Sequence, residues 1–270
     1  MPDLPGNFTE IKSCYIGPEI SPEQFIHEHF FLYLLKGKIE GYDGYKRYVL
    51  HAGQYCLVRK NHLARYNKQQ DGGEFAKVVV ILDEPFLKSY RYKYDIKQIR
   101  SSSADAFVPL EQSDLIPDFV KSLKPYYHPS GKITPAFADV KREELLLILL
   151  QTNPGLAEIL FDFGVPQKID LEAFMQRNYK FNVSIRRFAY LTGRSLSAFK
   201  RDFAAIFGQT PGRWLLQRRL QEARFLLEKK QTKPSDIYLD LGFEDLSHFS
   251  FSFKKKYGFS PGNLRAKAIK

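Results

Sequence analysis

The sequence has little that would support secretion, membrane insertion or metal binding. Its 270 residues include two cysteines, Cys14 and Cys56, too few for a disulfide framework or a cysteine metal site. We expect both to be buried small residues in a reducing cytoplasm. No apolar run approaches the ~18 residues of a membrane-spanning helix, the longest candidate being Leu145 to Leu150. The first residues carry neither the basic segment nor the apolar core of a signal peptide.

The chain also lacks the residue patterns of the common enzyme classes. It has no glycine-rich phosphate loop, no Ser/His/Asp set and no activated cysteine. His27 and His29, with His62 further on, could bind a metal from the strands of a barrel, as in barrel-type oxygenases. Such a site needs a carboxylate shortly after the pair, yet the following residues are apolar or aromatic, and the first acid among them is Glu40. We therefore predict no metal, no cofactor and no enzymatic activity. A metal-dependent cupin-type enzyme with a basic DNA-associating tail remains the alternative.

Positive charge is concentrated in the second half of the chain. The net charge is +11, and residues 166–270 carry 21 Lys and Arg against 9 Asp and Glu. Residues 1–165 carry 20 against 21 and are therefore nearly neutral. Such asymmetry indicates that one half of the protein meets a polyanion and the other does not.

The first half has the pattern of a β domain from residue 11 to about residue 95. Short apolar runs are separated by glycine turns, of which Asp43-Gly44 is a strong hairpin signal. A β-branched run at residues 75–82 predicts a buried strand. Short strands with frequent turns are typical of a sandwich or a small barrel.

Two helices are predicted after Pro109, at residues 114–127 and 135–152. The first is expected to bury Leu115, Phe119 and Leu123, which recur every fourth residue. The second is apolar on every face at its centre, which requires burial all round. Either the β domain covers one side and a twin subunit the other, or the β domain covers it completely. We expect the first arrangement, and therefore a homodimer.

A fifty-residue repeat dominates the second half. The segment Phe207-Gly208-Gln209-Thr210-Pro211-Gly212 is similar to the segment fifty residues later, Tyr257-Gly258-Phe259-Ser260-Pro261-Gly262. Each copy follows a helical pattern with phenylalanine every fourth residue, and a turn glycine lies further back. The turn glycines are Gly193 and Gly242. Helix, glycine turn and second helix in this order predict two helix-turn-helix units.

Residue types in this half also predict where helices begin and end. Asp170, Ser195 and Ser235 are expected to cap the helices that follow them. Residues 211–229 predict a helix roughly 28 Å long at ~1.5 Å per residue. Successive major-groove faces on one side of DNA lie ~34 Å apart, so such a helix could hold two DNA-reading units about one helical turn apart.

The repeat carries a specific resemblance. The pattern A-x-x-x-G-x-S-x-x-x-F-x-R-x-F-x-x-x-x-G-x-x-P begins at Ala189, and G-F-x-D-x-S-x-F-x-x-x-F-K-K-x-x-G-x-S-P begins at Gly242. Together with the long helix between them, these patterns resemble the DNA-binding domain of the AraC/XylS family of transcriptional regulators over about residues 170–268. In that family two recognition helices enter adjacent major grooves. Tyr238 departs from the family pattern, which usually has alanine there, and Phe251 stands where arginine is common.

The resemblance assigns DNA contacts residue by residue. The positions implied for base contacts in the first unit are Ser197, Lys200 and Arg201. The corresponding positions in the second unit are Leu246, Ser247, Ser250 and Phe251. The lysines Lys254, Lys255 and Lys256 are placed to meet phosphates, although they would also favour a helix C-terminus. We predict that the first unit specifies the sequence and the second mainly anchors.

The expected architecture is an α+β protein of two domains. Residues 1–164 are similar to the cupin-like sensor domains that accompany this module, a β-barrel or sandwich with dimerisation helices. Residues 165–169 would be a linker, and residues 170–270 an all-α AraC-type domain with two helix-turn-helix units. The implied protein is a cytoplasmic activator that binds double-stranded promoter DNA and RNA polymerase, forms a homodimer and responds to a small-molecule or protein effector, with no membrane partner. An architectural DNA binder without a sensor function is a second alternative.

Overall fold

The computed structural model describes residues 24–96, 105–126, 133, 135–230 and 232–268. The chain divides into two compact regions, residues 1–164 and residues 165–270, called here the N-terminal and C-terminal regions. Cys14 and the segment interpreted for a signal peptide lie outside the described residues. Within the described part of the chain, no helix has the length and apolar character needed to span a bilayer.

The N-terminal region combines nine strands with four helices among its described residues. The strands are β1 (Phe25–Ile26), β2 (His29–Lys36), β3 (Lys38–Tyr42), β4 (Arg47–His51), β5 (Tyr55–Val58), β6 (His62–Leu63), β7 (Arg65–Gln69), β8 (Ala76–Leu82) and β9 (Phe107–Pro109). The helices are α1 (Glu84–Lys93), α2 (Leu115–Ser122), α3 (Pro135–Thr152) and α4 (Leu156–Leu160), with a 3-10 turn at Lys124–Tyr126.

These strands form three antiparallel sheets. Their orders are β8-β2-β5-β9, β4-β3-β7 and β1-β6. The sheet-rich character of the region is therefore confirmed. The pairings among the described residues leave the sheets separate and do not close them into one barrel.

Strand β2 divides two apolar cores because its side chains alternate between the faces of the four-stranded sheet. Phe31 pairs with Leu57 on β5 and Val80 on β8, and these side chains pack with the helices. Leu32 points to the opposite face and joins a core that includes Ile39 of the three-stranded sheet. The region is thus layered as helices, four-stranded sheet and three-stranded sheet.

The Asp43-Gly44 hairpin is confirmed. It joins β3 to β4, and Gly44 adopts a φ of +97°. The Asp43 carboxylate accepts hydrogen bonds from the backbone N–H groups of Tyr45 at 2.9 Å and Lys46 at 2.8 Å. Its other oxygen accepts from the Tyr48 hydroxyl at 2.7 Å, so one side chain fixes the whole turn.

The two predicted helices of this region need correction in detail. Helix α2 ends at Ser122, and the prediction that Leu115 is buried is wrong because its side chain is 51% exposed. Ile116 is fully buried in its place, since the buried face begins one residue later. Helix α3 has the predicted bounds but is not buried all round. Leu145 is fully buried, whereas Leu147 is 46% exposed.

The C-terminal region is helical throughout its described part. Its helices are α5 (Leu171–Asn178), α6 (Ile185–Leu191), α7 (Leu196–Phe207), α8 (Pro211–Lys229), α9 (Pro234–Ile237), α10 (Leu246–Tyr257) and α11 (Pro261–Ala268). Helices α6 and α7 form the first helix-turn-helix unit, and α9 and α10 form the second. Helix α8 connects the two units and contributes Trp214 to the core of the first and Leu227 to the core of the second.

Two of the three predicted caps in this region are correct. The Asp170 carboxylate accepts from the Ala173 N–H at 2.9 Å, and the Ser195 hydroxyl accepts from the Ala198 N–H at 3.2 Å. Ser235 is not a cap, because it lies inside α9, which has Pro234 at its first position and Lys233 at its N-cap. Proline fits there because it lacks only an N–H that would be unpaired at a helix start.

Candidate nucleic-acid interface

Helices α7 and α10 are built on the same frame, fifty residues apart. Each has 12 residues, and each begins at a side-chain cap, Ser195 for α7 and Asp245 for α10. The Asp245 carboxylate accepts from the His248 N–H at 2.6 Å. Each helix ends at a left-handed glycine, Gly208 with φ +66° and Gly258 with φ +83°. The repeat predicted from the sequence is therefore a repeat in the fold.

The buried faces of the two helices fix which side chains point outward. Phe199 and Phe203 on α7 are fully buried, and so are Phe249 and Phe253 on α10. The outward face of α7 carries exposed Ser197, Lys200 and Arg201. The outward face of α10 carries Leu246, Ser247, Ser250 and Phe251. The structure thus brings each predicted set together on one helix face.

Arg201 on α7 lies at the surface in an ion pair with Asp202. Its side chain is 78% exposed, and its guanidinium donates to an Asp202 carboxylate oxygen at 3.1 Å. The other Asp202 oxygen accepts from Arg194 at 3.1 Å. Hydrogen bonds from Arg194 and then from Arg201 hold the pKa of Asp202 below its usual value. Because an exposed ion pair contributes little, the Arg201 guanidinium can exchange this partner for another anion or acceptor.

The lysine cluster at the end of α10 divides into two kinds. Lys254 and Lys255 are exposed on the outward side of the helix. Lys256 turns back and donates to the Gln217 carbonyl on α8 at 3.1 Å, and burial lowers its pKa. The first two lysines are therefore better placed for phosphate contact than the third.

Arg219 on α8 ties the second unit to the start of the C-terminal region. Its guanidinium donates to the carbonyls of Tyr179, Phe181 and Gly242, each at 2.8 Å. Burial lowers the pKa of Arg219 to about 10. In the sequence, Arg219 is one of the 21 lysines and arginines of residues 166–270. The available signal was its place four residues after Leu215, on the buried side of α8.

The turn glycine of each unit meets the backbone of an earlier segment. Gly193 has φ +65°, and a Cβ there would lie 2.3 Å from the Gln167 carbonyl carbon. Gly242 has φ +84°, and a Cβ would lie 2.6 Å from the Lys180 carbonyl oxygen. Both turns therefore require glycine for conformation and for space. Tyr238, in the second unit, packs its partly buried ring against the core beside α8.

The histidines considered for a metal site are engaged in other ways. The His27 ring lies edge-on to Phe25 at 4.7 Å between centroids. His29 begins β2, and its Nδ1 accepts from the Lys60 N–H at 3.3 Å. Burial, followed by the charge of Lys60, lowers the pKa of His29 well below its usual value. Over the described ranges, no three His, Cys, Asp or Glu side chains are grouped to hold a metal ion.

Comparison with known proteins agrees with this architecture. The family model described as the ExsA N-terminal regulatory domain matches residues 29–159, and a helix-turn-helix domain model matches residues 188–267. The chain is 25% identical over 266 residues to the HTH-type transcriptional regulator ExsA of Pseudomonas aeruginosa, covering 95% of this chain and 92% of that protein.

Two Yersinia proteins are similar to the chain. The virulence regulon transcriptional activator VirF of Yersinia enterocolitica is 24% identical over 87% of this chain and 88% of its own length. The thermoregulatory protein LcrF of Yersinia pestis is 31% identical over 47% of this chain and 48% of its own length.

The duplicated helix-turn-helix fold, its basic outward faces and these matches define a DNA-binding transcriptional regulator. The sheet-rich N-terminal region matches a regulatory domain that accompanies such a module. Together these matches support an AraC family transcriptional regulator.

Proposed function

We propose that the protein activates transcription by binding promoter DNA through two successive major-groove segments per subunit. The observation that carries this proposal is the pair of equivalent recognition helices, α7 and α10, on the two sides of α8. Helix α8 has 19 residues, roughly 28 Å at ~1.5 Å per residue. That length suits two helices that enter the groove about one DNA turn, ~34 Å, apart.

The two units divide the work of recognition in this proposal. On α7, Lys200 and Arg201 can donate to guanine O6 and N7, and Ser197 can donate or accept. On α10, Lys254 and Lys255 are available to phosphates, which position a protein without specifying sequence. The first unit accordingly supplies most of the specificity, and the second anchors the domain.

The N-terminal region is proposed to be a cupin-like domain that pairs subunits. Helix α3 leaves an apolar strip exposed, with Phe137 at 51%, Val140 at 62% and Leu147 at 46%. These residues share one side of the helix, at spacings of three and seven. A second copy of this strip is the partner that would remove it from water in a homodimer.

The same region is proposed to receive the signal, from a small molecule or a partner protein. A cavity of about 200 Å³ lies between the two larger sheets. It is mostly apolar, and its lining includes Leu32, Ile39, Tyr48, Cys56 and Phe107. Residues 165–169 would act as the linker through which a signal alters engagement of promoter DNA or RNA polymerase, in the cytoplasm of the cell.

Paired alanine substitutions test the DNA-binding proposal. The full-length chain selects its site from a random duplex library, and affinities are then measured for that site and for random DNA. Arg201→Ala should cost about 1–3 kcal/mol at the selected site and relax its sequence preference. Lys255→Ala, the matched control, should weaken binding to both DNAs by the same factor. Equal losses on both DNAs for Arg201→Ala would remove base recognition from the first unit.

A further inference from the structure

We propose that the second helix-turn-helix unit recognises thymine methyl groups, through Phe251 with Leu246 beside it. This inference rests on the proposed function and assigns a base class to α10. It goes further than an anchoring role, because an anchor alone needs no apolar side chain in the groove.

The fifty-residue offset allows the two recognition helices to be compared position by position. Where α7 has Lys200 and Arg201, α10 has Ser250 and Phe251. One turn later the pattern reverses, because Ala204 and Ala205 on α7 correspond to lysines 254 and 255 on α10. The positive charge has thus moved by one helical turn toward the C-terminus of α10.

This displacement changes what each part of α10 can contact. The N-terminal residues of a recognition helix lie closest to the base edges. On α10 those turns carry Leu246 and Phe251 as exposed apolar side chains. His248 is exposed there as well, with its ring centroid 5.8 Å from that of Phe243, and the cations lie further along the helix. A cation in the later turn can neutralise a phosphate, and the earlier turns present the two apolar side chains together with serine hydroxyls and the His248 ring.

The exposure of these two side chains has no explanation in the packing of the domain. Phe251 is 66% exposed and Leu246 is 39% exposed, whereas the core beneath α10 is formed by Phe249 and Phe253. Removing apolar surface of this size from water is energetically favourable. A ligand surface that covers Phe251 is therefore favoured if it is apolar itself.

Thymine supplies the apolar group of the major groove. Its C5-methyl projects into the groove, and contacts from aromatic and aliphatic side chains are the usual way to recognise it. Ser247 and Ser250 flank the two apolar side chains, and a hydroxyl can donate to or accept from either an adenine or a thymine edge. The groove segment that fits α10 is accordingly rich in A·T pairs, with thymine methyls facing Phe251.

A partner protein is the competing occupant, and the placement of Phe251 argues against it. Phe251 lies on the same side of α10 as Ser247 and Lys254, at spacings of four and three residues. Its equivalent on α7 is Arg201, on the face proposed to enter the groove. Any protein bound at Phe251 would be displaced when α10 enters DNA.

Deoxyuridine substitution tests the inference directly, because deoxyuridine differs from thymidine only by loss of the methyl group. The full-length chain selects its site from a random duplex library, and each thymine of that site is then replaced in turn. One or two replacements in the segment bound by the second unit should weaken wild-type binding about threefold to fivefold each. Phe251→Ala should bind the thymine duplex with a similar loss and show no further loss with deoxyuridine at those positions. Phe225→Ala removes a 50% exposed phenylalanine from α8 and should respond to deoxyuridine as the wild type does.

A second variant keeps the test independent of folding. Phe251→Arg gives α10 the residue type that α7 has at the equivalent position, 201. The variant should shift the preferred base at one position of the selected site from thymine to guanine. A folded variant whose selected site is unchanged would contradict the inference.

The outcomes separate this inference from the proposed function. If the chain selects no site at all, the proposed function fails. If a site is selected but every deoxyuridine effect is the same in wild type and Phe251→Ala, only the methyl assignment fails. If Phe251→Ala binds the site normally but loses activation by RNA polymerase in a purified transcription assay, Phe251 contacts a protein and the inference is wrong.

Discussion

Replacement of Arg219 should loosen the C-terminal region, because this side chain bridges two segments that are distant in sequence. Its three donors are shared between the carbonyls that follow α5 and the turn carbonyl of Gly242. Lysine keeps the charge but cannot present three donors in a planar fork. Methionine keeps the aliphatic stem and removes every donor.

The expected cost follows from the hydrogen bonds that are lost. A hydrogen bond to a charged group contributes about 1.5–3 kcal/mol, and contributions that share one side chain do not add fully. We expect Arg219→Lys to lower the free energy of unfolding by about 2–3 kcal/mol. Arg219→Met should lower it by about 3–5 kcal/mol, a large part of the 5–15 kcal/mol typical of a domain.

Tryptophan fluorescence is a selective assay for this effect. Trp214 is the single tryptophan of the chain, is 7% exposed and packs against the Phe207 ring at 4.7 Å, so it reports on the C-terminal region. Urea unfolding of the full-length chain, followed by this fluorescence, should show the lower free energy of unfolding of the Arg219 variants. The control is Arg224→Lys, which alters an arginine paired with Glu228 on the surface of the same helix and should leave the midpoint unchanged. An Arg219→Lys midpoint equal to wild type at the same m value would refute the bridging role.

Three further predictions concern other parts of the molecule. Gly193 and Gly208 have nearly the same φ, but only Gly193 faces backbone atoms, so Gly193→Ala should destabilise the C-terminal region by at least about 2 kcal/mol more than Gly208→Ala in the tryptophan assay. Below pH 6.5 the unfolded chain binds a proton that buried His29 excludes in the folded chain, so stability should fall as the pH is lowered from 7 to 5. Unfolding of each variant can be followed by tyrosine circular dichroism at pH 7 and pH 5. The free energy of unfolding should fall between these pH values by about 1–2 kcal/mol less in His29→Gln than in wild type, and His51→Gln, at an exposed position, should behave as wild type. Leu147→Lys should raise the dimer dissociation constant at least about tenfold in sedimentation equilibrium while leaving the circular dichroism spectrum unchanged, and an unchanged dimer would remove α3 from the subunit interface.

Local features of the C-terminal region were predictable from the sequence because their causes are local. Phenylalanine at every fourth residue fixes the buried faces of α7 and α10, and glycine at 193 and 242 fixes the turns. The cap at Ser195 follows from a hydroxyl placed three residues before the N–H that it accepts from. Each of these rules needs only a few neighbouring residues.

Features that depend on distant contacts were not predictable. Ser235 matched a cap by residue type, but α9 begins at Pro234, two residues before the start that a Ser235 cap would give. Arg219 gave no sign of its carbonyl partners, which lie about forty residues before it and about twenty after it. The separation of the strands into three sheets likewise depends on pairings such as β5 with β9, which local alternation cannot specify.

The candidate DNA-binding residues were predictable in part. Their outward positions follow from helix periodicity, but periodicity does not show which cations keep their charge available to a ligand. Lys256 turns back to the Gln217 carbonyl, and Arg201 remains at the surface with Asp202. The Lys256 contact depends on a neighbour on another helix, α8, which the periodicity of α10 does not reveal.

Hydroxyl-radical footprinting of the full-length chain on its selected site shows how many segments of the DNA one subunit contacts. If one subunit reads two successive major-groove segments, each half-site should show two protected backbone clusters about 10 base pairs apart on one face of the DNA. Arg201→Ala should weaken protection in the cluster bound by the first unit more than in the other. A single protected cluster per subunit, or continuous protection that does not depend on sequence, would contradict recognition of two major-groove segments by each subunit.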